Sequence, residues 1–143
     1  MKKLLFVCTA NTCRSPMAEA IAPIVCRDRG IDVSCDSAGI FAARGDSMSA
    51  NASAALEKLY GIKGFVHRSQ PITKELFEGS DLVVGMTGSH VKLLESLFGK
   101  SDKIIAMPRE IGDPYGGYLE TYELAAREIA EGIERLIEKK VIF

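Results

Sequence analysis

Short apolar runs alternate along this chain with amphipathic stretches of helical period. Leu4-Leu5-Phe6-Val7 is continuous and apolar, the pattern of a strand buried on both faces. Ser15-Pro16 then predicts a helix start, with Ser15 as the cap and Pro16 at the first helical position. Met17, Ala20, Ile21, Ile24 and Val25 follow at a spacing near 3.6 residues, and Gly30 is placed to close the helix. Pro23 falls inside it and is expected to kink it or remove a hydrogen bond. Val33 to Ala38 predicts a second strand. Met48, Ala52, Ala55, Leu56 and Leu59 form a second helical stripe that Gly61 ends. A third strand is expected over Asp81 to Met86, then a helix carrying Val91, Leu94, Leu97 and Phe98 up to Gly99. Lys103 to Met107 reads as the fourth strand. The last helix presents Tyr122, Ala125, Ala126, Ile129, Ile133, Leu136 and Ile137 on one face. Its acidic residues come early and Lys139-Lys140 ends it, which suits the helix dipole.

Strands alternating with helices imply an α/β fold: one doubly wound domain over residues 1–143, with a four-stranded parallel sheet covered by helices on both faces. Ligands of such sheets bind beyond the carboxyl ends of the strands, at a topological switch point. The loop after the first strand, residues 8 to 14, is therefore the first place to look for chemistry.

Composition narrows the class. The chain has 143 residues, 47% hydrophobic and 26% charged, as globular proteins do. Its formal net charge of −1 lacks the basic excess of a dedicated nucleic-acid binder. No apolar run approaches the roughly 18 residues of a membrane span. The opening Met1-Lys2-Lys3 followed by apolar residues starts like a signal peptide, but the run stops at Cys8 and no small-residue cleavage site follows. A cytoplasmic protein acting as a monomer is expected. The four cysteines, at 8, 13, 26 and 35, form no C-x-x-C pair, and only His67 and His90 are available to join them. Neither a disulfide framework nor a zinc site is expected, and no cofactor is called for.

The loop reads Cys8-Thr9-Ala10-Asn11-Thr12-Cys13-Arg14-Ser15. A cysteine ends the strand and an arginine stands six positions later at a helix start. Loop amides and a helix N-terminus direct positive dipoles into one hollow, an oxyanion site. Arg14 adds a permanently charged, bidentate clamp for a phosphoryl group. Cys8 lies at the floor of that hollow, where positive surroundings favour the thiolate. A thiolate beneath a bound phosphoryl group is placed for in-line attack and a phosphocysteine intermediate. Ser15 has a hydroxyl to donate to that sulfur, and Asn11 suits a left-handed backbone position. A bare C-x5-R match is common by chance; here the preceding strand and the following Ser-Pro helix start supply the context. The leaving group needs a proton and the water a base. Asp113, before Pro114 in a glycine-rich segment after the fourth strand, is the candidate for both.

Val7-Cys8 through Arg14-Ser15-Pro16-Met17-Ala18-Glu19, Asp36-Ser37-Ala38-Gly39 and Asp113-Pro114-Tyr115-Gly116 together resemble the low-molecular-weight protein tyrosine phosphatase family. The match spans nearly the whole chain in order. The resemblance implies no metal, a Cys8 nucleophile, an Arg14 clamp, Asp113 as general acid, and support of the loop by Asn11 with neighbours such as His67. Three departures bear on the substrate. Thr12 stands where tyrosine-specific members usually carry Ile or Leu, and it resembles the bacterial protein-arginine phosphatase branch. The segment Ala38 to Gly45 has no tryptophan, leaving Phe41 as its aromatic residue. Tyr115-Gly116 replaces a pair of tyrosines. The expected substrates are phosphorylated proteins, with inorganic phosphate as product. Phosphoarginine is favoured and phosphotyrosine is the alternative, with Thr12, Phe41 and Tyr115 setting selectivity.

Three other readings are weaker. A thiol-dependent arsenate reductase shares this fold and loop but needs resolving cysteines after the third strand, and residues 79 to 101 contain none. Cys13 beside Cys8 is instead a candidate for reversible oxidative protection. A non-catalytic phosphoprotein-binding module has no need of Cys8 or Asp113. A dinucleotide or P-loop site lacks its glycine motif.

Overall fold

The computed structural model describes all 143 residues. In chain order the elements are β1 (Lys2–Cys8), α1 (Arg14–Asp28), β2 (Val33–Gly39), α2 (Ala50–Tyr60), α3 (Lys74–Glu78), β3 (Leu82–Gly85), α4 (Gly88–Phe98), β4 (Ile104–Ala106) and α5 (Leu119–Glu138). The sheet order is β2-β1-β3-β4, and every pairing is parallel. The chain leaves β1 toward β2, then crosses back to β3 on the other side. The winding direction reverses there, so the loop after β1 opens at the switch point.

Alternation along the strands sorts the two faces. Leu4, Phe6 and Cys8 of β1, with Leu82 and Val84 of β3, pack beneath α1, α2 and α5 in the larger core. Leu5, Val7, Val83 and Ile104 face the smaller core with Phe77 of α3 and Leu94 of α4. Both faces are covered, so the central strands read as unbroken apolar runs.

The expected elements are all present, with shifted ends. β1 begins two residues early because its exposed lysines still pair with Val33 and Ser34 of β2. α1 starts at Arg14, so Ser15 is not its cap: Cys13 holds that position with no side-chain cap bond, and the Ser15 hydroxyl is turned to the site instead. α1 runs through Pro23 as one helix; the ring removes only the N–H that the Glu19 carbonyl would have accepted. Gly30 follows the cap residue Arg29 with φ +71, and Gly61 caps α2 with φ +66. Met48 lies before α2, whose cap is Ser49. The short helix α3 carries no apolar period long enough to read in the sequence; Thr73 caps it, and Phe77 stacks on Phe98 at 4.4 Å. No helix is long and apolar enough to cross a membrane.

Candidate active site

The backbone at the end of β1 turns sharply. Asn11 takes φ +60, a left-handed conformation that Asn tolerates better than most residues. Its side chain is buried and fully engaged. The amide N–H groups reach Ser15 Oγ at 2.8 Å and Ser37 Oγ at 3.0 Å, and Oδ1 accepts the Gln70 N–H at 3.0 Å. His67 Nε2 donates to the Asn11 carbonyl at 2.7 Å. The loop is thus held from behind by α1, β2 and the segment before α3. Gly39 makes this approach possible: a Cβ there would lie 2.5 Å from the Thr9 carbonyl and 2.8 Å from Ala42 Cβ.

On the other side the loop encloses a cavity of about 210 Å3, lined by residues 8 to 14 together with Asp113 and Tyr115. Cys8 is its floor, only 2% exposed. Its sulfur is 2.8 Å from Ser15 Oγ. Asn11 donates into that hydroxyl oxygen, so the Ser15 proton goes to an acceptor, and the sulfur at 2.8 Å is far nearer than the Ala38 carbonyl at 3.5 Å. Arg14 is buried, and its Nη1 donates to the Ile111 carbonyl at 2.9 Å. That anchor aims the rest of the guanidinium into the cavity. Nη2 lies 3.8 Å from Oδ2 of Asp113. Asp113 itself is about half-exposed at the rim, with Oδ1 accepting the Tyr115 N–H at 3.1 Å. The turn behind it closes by Gly117 N–H to the Pro114 carbonyl, and Gly116 supplies the φ of +79 that a type II turn needs.

Thr12 is half-buried on the cavity wall. The Cys13 thiol is held against Ser49 Oγ and Tyr122 Oη, at 3.6 and 3.9 Å, and both Cys8 and Cys13 are free thiols. Tyr115 lines the cavity mouth. Phe41 does not line it: the ring is exposed, and its link to the loop is a backbone N–H donated to the Thr9 carbonyl at 3.0 Å. The structure therefore brings together every residue singled out in the loop with Asp113 and Tyr115, and leaves Phe41 outside.

Other site groups escape the sequence reading. Glu19 accepts from Ser37 Oγ at 2.5 Å and lies 3.8 Å from His67 Nδ1. Burial raises its carboxyl to about 7, the Ser37 bond opposing and the Asp36 charge adding. Burial lowers His67. Only the helical step from Ser15 to Glu19 hints at this in the sequence. His90 reaches the loop from α4, with Nε2 3.0 Å from Thr9 Oγ1. Its available signal is the Thr87-x-x-His90 spacing, that of a capping box with histidine in place of Glu or Gln. The chain holds no group of three metal-ligating side chains.

A buried thiol under a loop of amides, an anchored guanidinium over it and a rim carboxylate define a cysteine-dependent phosphoryl-transfer site on a parallel α/β sheet. Residues 3–141 match the model of the low molecular weight phosphotyrosine protein phosphatase family, and the chain belongs to that family. It is 36% identical to a protein-arginine-phosphatase of Bacillus subtilis, covering 95% of each chain. It is 32% identical to the low molecular weight protein-tyrosine-phosphatase PtpB of Staphylococcus haemolyticus, covering 94% of this chain and 96% of the other. The crystal structure of a YwlE mutant from Bacillus subtilis superposes with a TM-score of 0.91 at 34% identity over 99% of both chains.

Proposed function

We propose that this enzyme is a protein-arginine phosphatase. The observation that carries the reading is the cavity wall: Thr12 stands beside the clamp where a bulky aliphatic would pack on a flat phenol ring, and the Asp113 carboxylate faces the entrance. A phosphoarginine brings a cationic guanidinium next to its phosphoryl group. Asp113 in its protonated form gives its proton to the leaving nitrogen, and the carboxylate left behind pairs with the released guanidinium. The likeness to a protein-arginine-phosphatase supports the same substrate.

In the first step Cys8 Sγ attacks phosphorus from the side opposite the P–N bond. Arg14 and the loop amides hold the equatorial oxygens. Asp113 gives its proton to the departing nitrogen as the P–N bond breaks, releasing arginine. In the second step water attacks the phosphocysteine and Asp113 takes the water's proton. The S–P bond breaks, and Ser15 donates to the leaving sulfur. The products are inorganic phosphate and the enzyme as it began. The same cycle hydrolyses phosphotyrosine when the leaving atom is a phenolic oxygen. Substrates are phosphoproteins in the cytoplasm, met by a monomeric enzyme. Cys13, five positions after Cys8 in the same loop, is the candidate to cap an oxidised Cys8 as a disulfide, once its thiol turns away from Ser49 and Tyr122.

The test is kcat/KM on matched peptides bearing phosphoarginine or phosphotyrosine, with Cys8→Ser as the inactive control. Phosphoarginine is expected to be preferred, and Thr12→Ile to shift the ratio of the two rates toward phosphotyrosine by about 10-fold or more. A wild-type preference for phosphotyrosine overturns the substrate reading. An unchanged ratio in Thr12→Ile removes Thr12 as selector. Residual turnover in Cys8→Ser removes the nucleophile assignment.

A further inference from the structure

His90 stands in the first turn of α4, buried, 81 residues from the loop it touches. It gets there because β3 ends in Gly85. A Cβ at that glycine would lie 3.1 Å from His90 Cβ and 3.2 Å from Val91 Cγ2. The ring's two nitrogens have different work. Nδ1 faces the Thr87 backbone N–H at 3.2 Å and the Thr87 hydroxyl at 3.0 Å. The Thr87 oxygen also accepts the His90 N–H at 3.4 Å, which completes the capping box. A backbone N–H only donates, so Nδ1 carries a lone pair. The ring proton then sits on Nε2, and Nε2–H donates to Thr9 Oγ1 at 3.0 Å. An oxygen that accepts this bond keeps its own proton for another acceptor. Thr9 follows the nucleophile directly and lines the cavity.

The geometry points to His90 as a positioning residue for the phosphatase reaction, one whose Nε2–H fixes the Thr9 hydroxyl so that the Thr9 proton is available to a phosphoryl group that enters the cavity. Its cap to Thr87 and its bond to Thr9 join the N-terminus of α4 to the phosphate loop through one ring. The imidazolium is disfavoured there. Burial holds His90 down to about 4, the Arg14 charge adds to this, and Asp113 and Glu110 pull the other way without offsetting it. A proton on Nδ1 would also meet the Thr87 N–H head-on. This inference rests on the phosphatase reading of the site, and its test separates the two.

The first measurement needs no turnover: the imidazole 15N spectrum of the wild-type protein between pH 5.5 and 8. The Nε2–H tautomer is expected throughout. An Nδ1–H tautomer, or an imidazolium at neutral pH, overturns the proposal whatever the enzyme hydrolyses. The second is kcat/KM on an aryl phosphate for Thr9→Val, His90→Asn and the double variant. Asn keeps an acceptor for the cap and loses the distal donor. Each single variant is expected to lose about 10-fold, the worth of one hydrogen bond in the transition state. The double variant should lose no more than the worse single one. Multiplying losses would show that His90 does not act through Thr9. His90→Gln, which restores both a capping-box side chain and a distal N–H, is expected to recover most of the loss. Failure to recover counts against the donor role. Absence of wild-type turnover would instead sink the phosphatase reading and leave the spectrum to judge His90.

Discussion

At the scale of single residues the site divides between buried groups that hold the loop and one exposed carboxylate at the rim, to which we assign the proton transfers. Asp113 is the rim group. Its carboxylate is exposed and bound only by the Tyr115 N–H and the nearby Arg14 charge, so it is free to give and take a proton. Asp113→Asn is expected to lower kcat by about 10²-fold or more, the usual worth of general acid catalysis. Inorganic phosphate should still inhibit as well as before, or better, because removing the carboxylate leaves Arg14 unopposed. The inhibition constant for phosphate and kcat on a phosphoarginine peptide check this together. An unchanged kcat would remove Asp113 from the chemistry. The meeting of Cys8, Arg14 and Asp113 at one cavity was legible in the sequence because each sits on a recognisable feature: a strand end, a helix start and an Asp-Pro turn. Ser15 was legible as chemistry but misleading as structure, since the same hydroxyl that suits a helix cap is drawn to a sulfur. The roles of Glu19 and His90 were not legible, because a polar residue on a helix gives no sign of which way it faces until the sheet brings distant residues beside it.

At the scale of elements the site depends on how closely backbone can approach backbone. Two glycines set this, Gly39 at the end of β2 and Gly85 at the end of β3. Gly39 lets the phosphate loop lie against β2. An Ala at that position would place its Cβ 2.5 Å from a carbonyl oxygen, which forces the loop to shift. Gly39→Ala is expected to leave the far-UV circular dichroism unchanged and lower kcat/KM by about 10²-fold, since a misplacement of about 1 Å in a reacting group costs that much. Retention of full activity would show that the loop relaxes at no cost. Strands and long helices were readable because burial imposes a period on them. The element ends were not, because pairing partners and side-chain demands at the site decide them. α3 was invisible for a related reason: five residues make barely one turn, too short for a period to declare itself.

Three groups at the scale of the whole molecule tie stability to pH, one in the opposite sense to the other two. Glu19 is raised from its ordinary 4.5 to about 7. Between those values the folded protein keeps a proton that the unfolded chain has lost, so its contribution is full below 4.5 and gone by 7. His90 is lowered from 6.5 to about 4, so its contribution is full above 6.5 and lost as pH falls to 4. His67 is lowered too and acts in the sense of His90. In the wild-type protein these slopes oppose each other across the mildly acidic range. Glu19→Gln removes the falling one. The difference in melting temperature, variant minus wild type, is expected to grow steadily from pH 4.5 to pH 7.5. A difference that stays constant would mean that Glu19 ionises in the fold as it does in the unfolded chain.

The bonds behind the loop have a thermodynamic meaning. Asn11 is tied to Ser15, Ser37, Gln70 and His67 by contacts that involve no substrate atom. The loop is thus shaped during folding, when the whole chain shares the cost of ordering it, rather than at the encounter with a phosphoryl group. Its amides have already lost their conformational freedom before the anion arrives, and little of the binding free energy is spent on ordering them. Because affinity for the ground state needs no rearrangement, the attraction that grows as charge shifts onto the phosphoryl oxygens is available to the reaction itself.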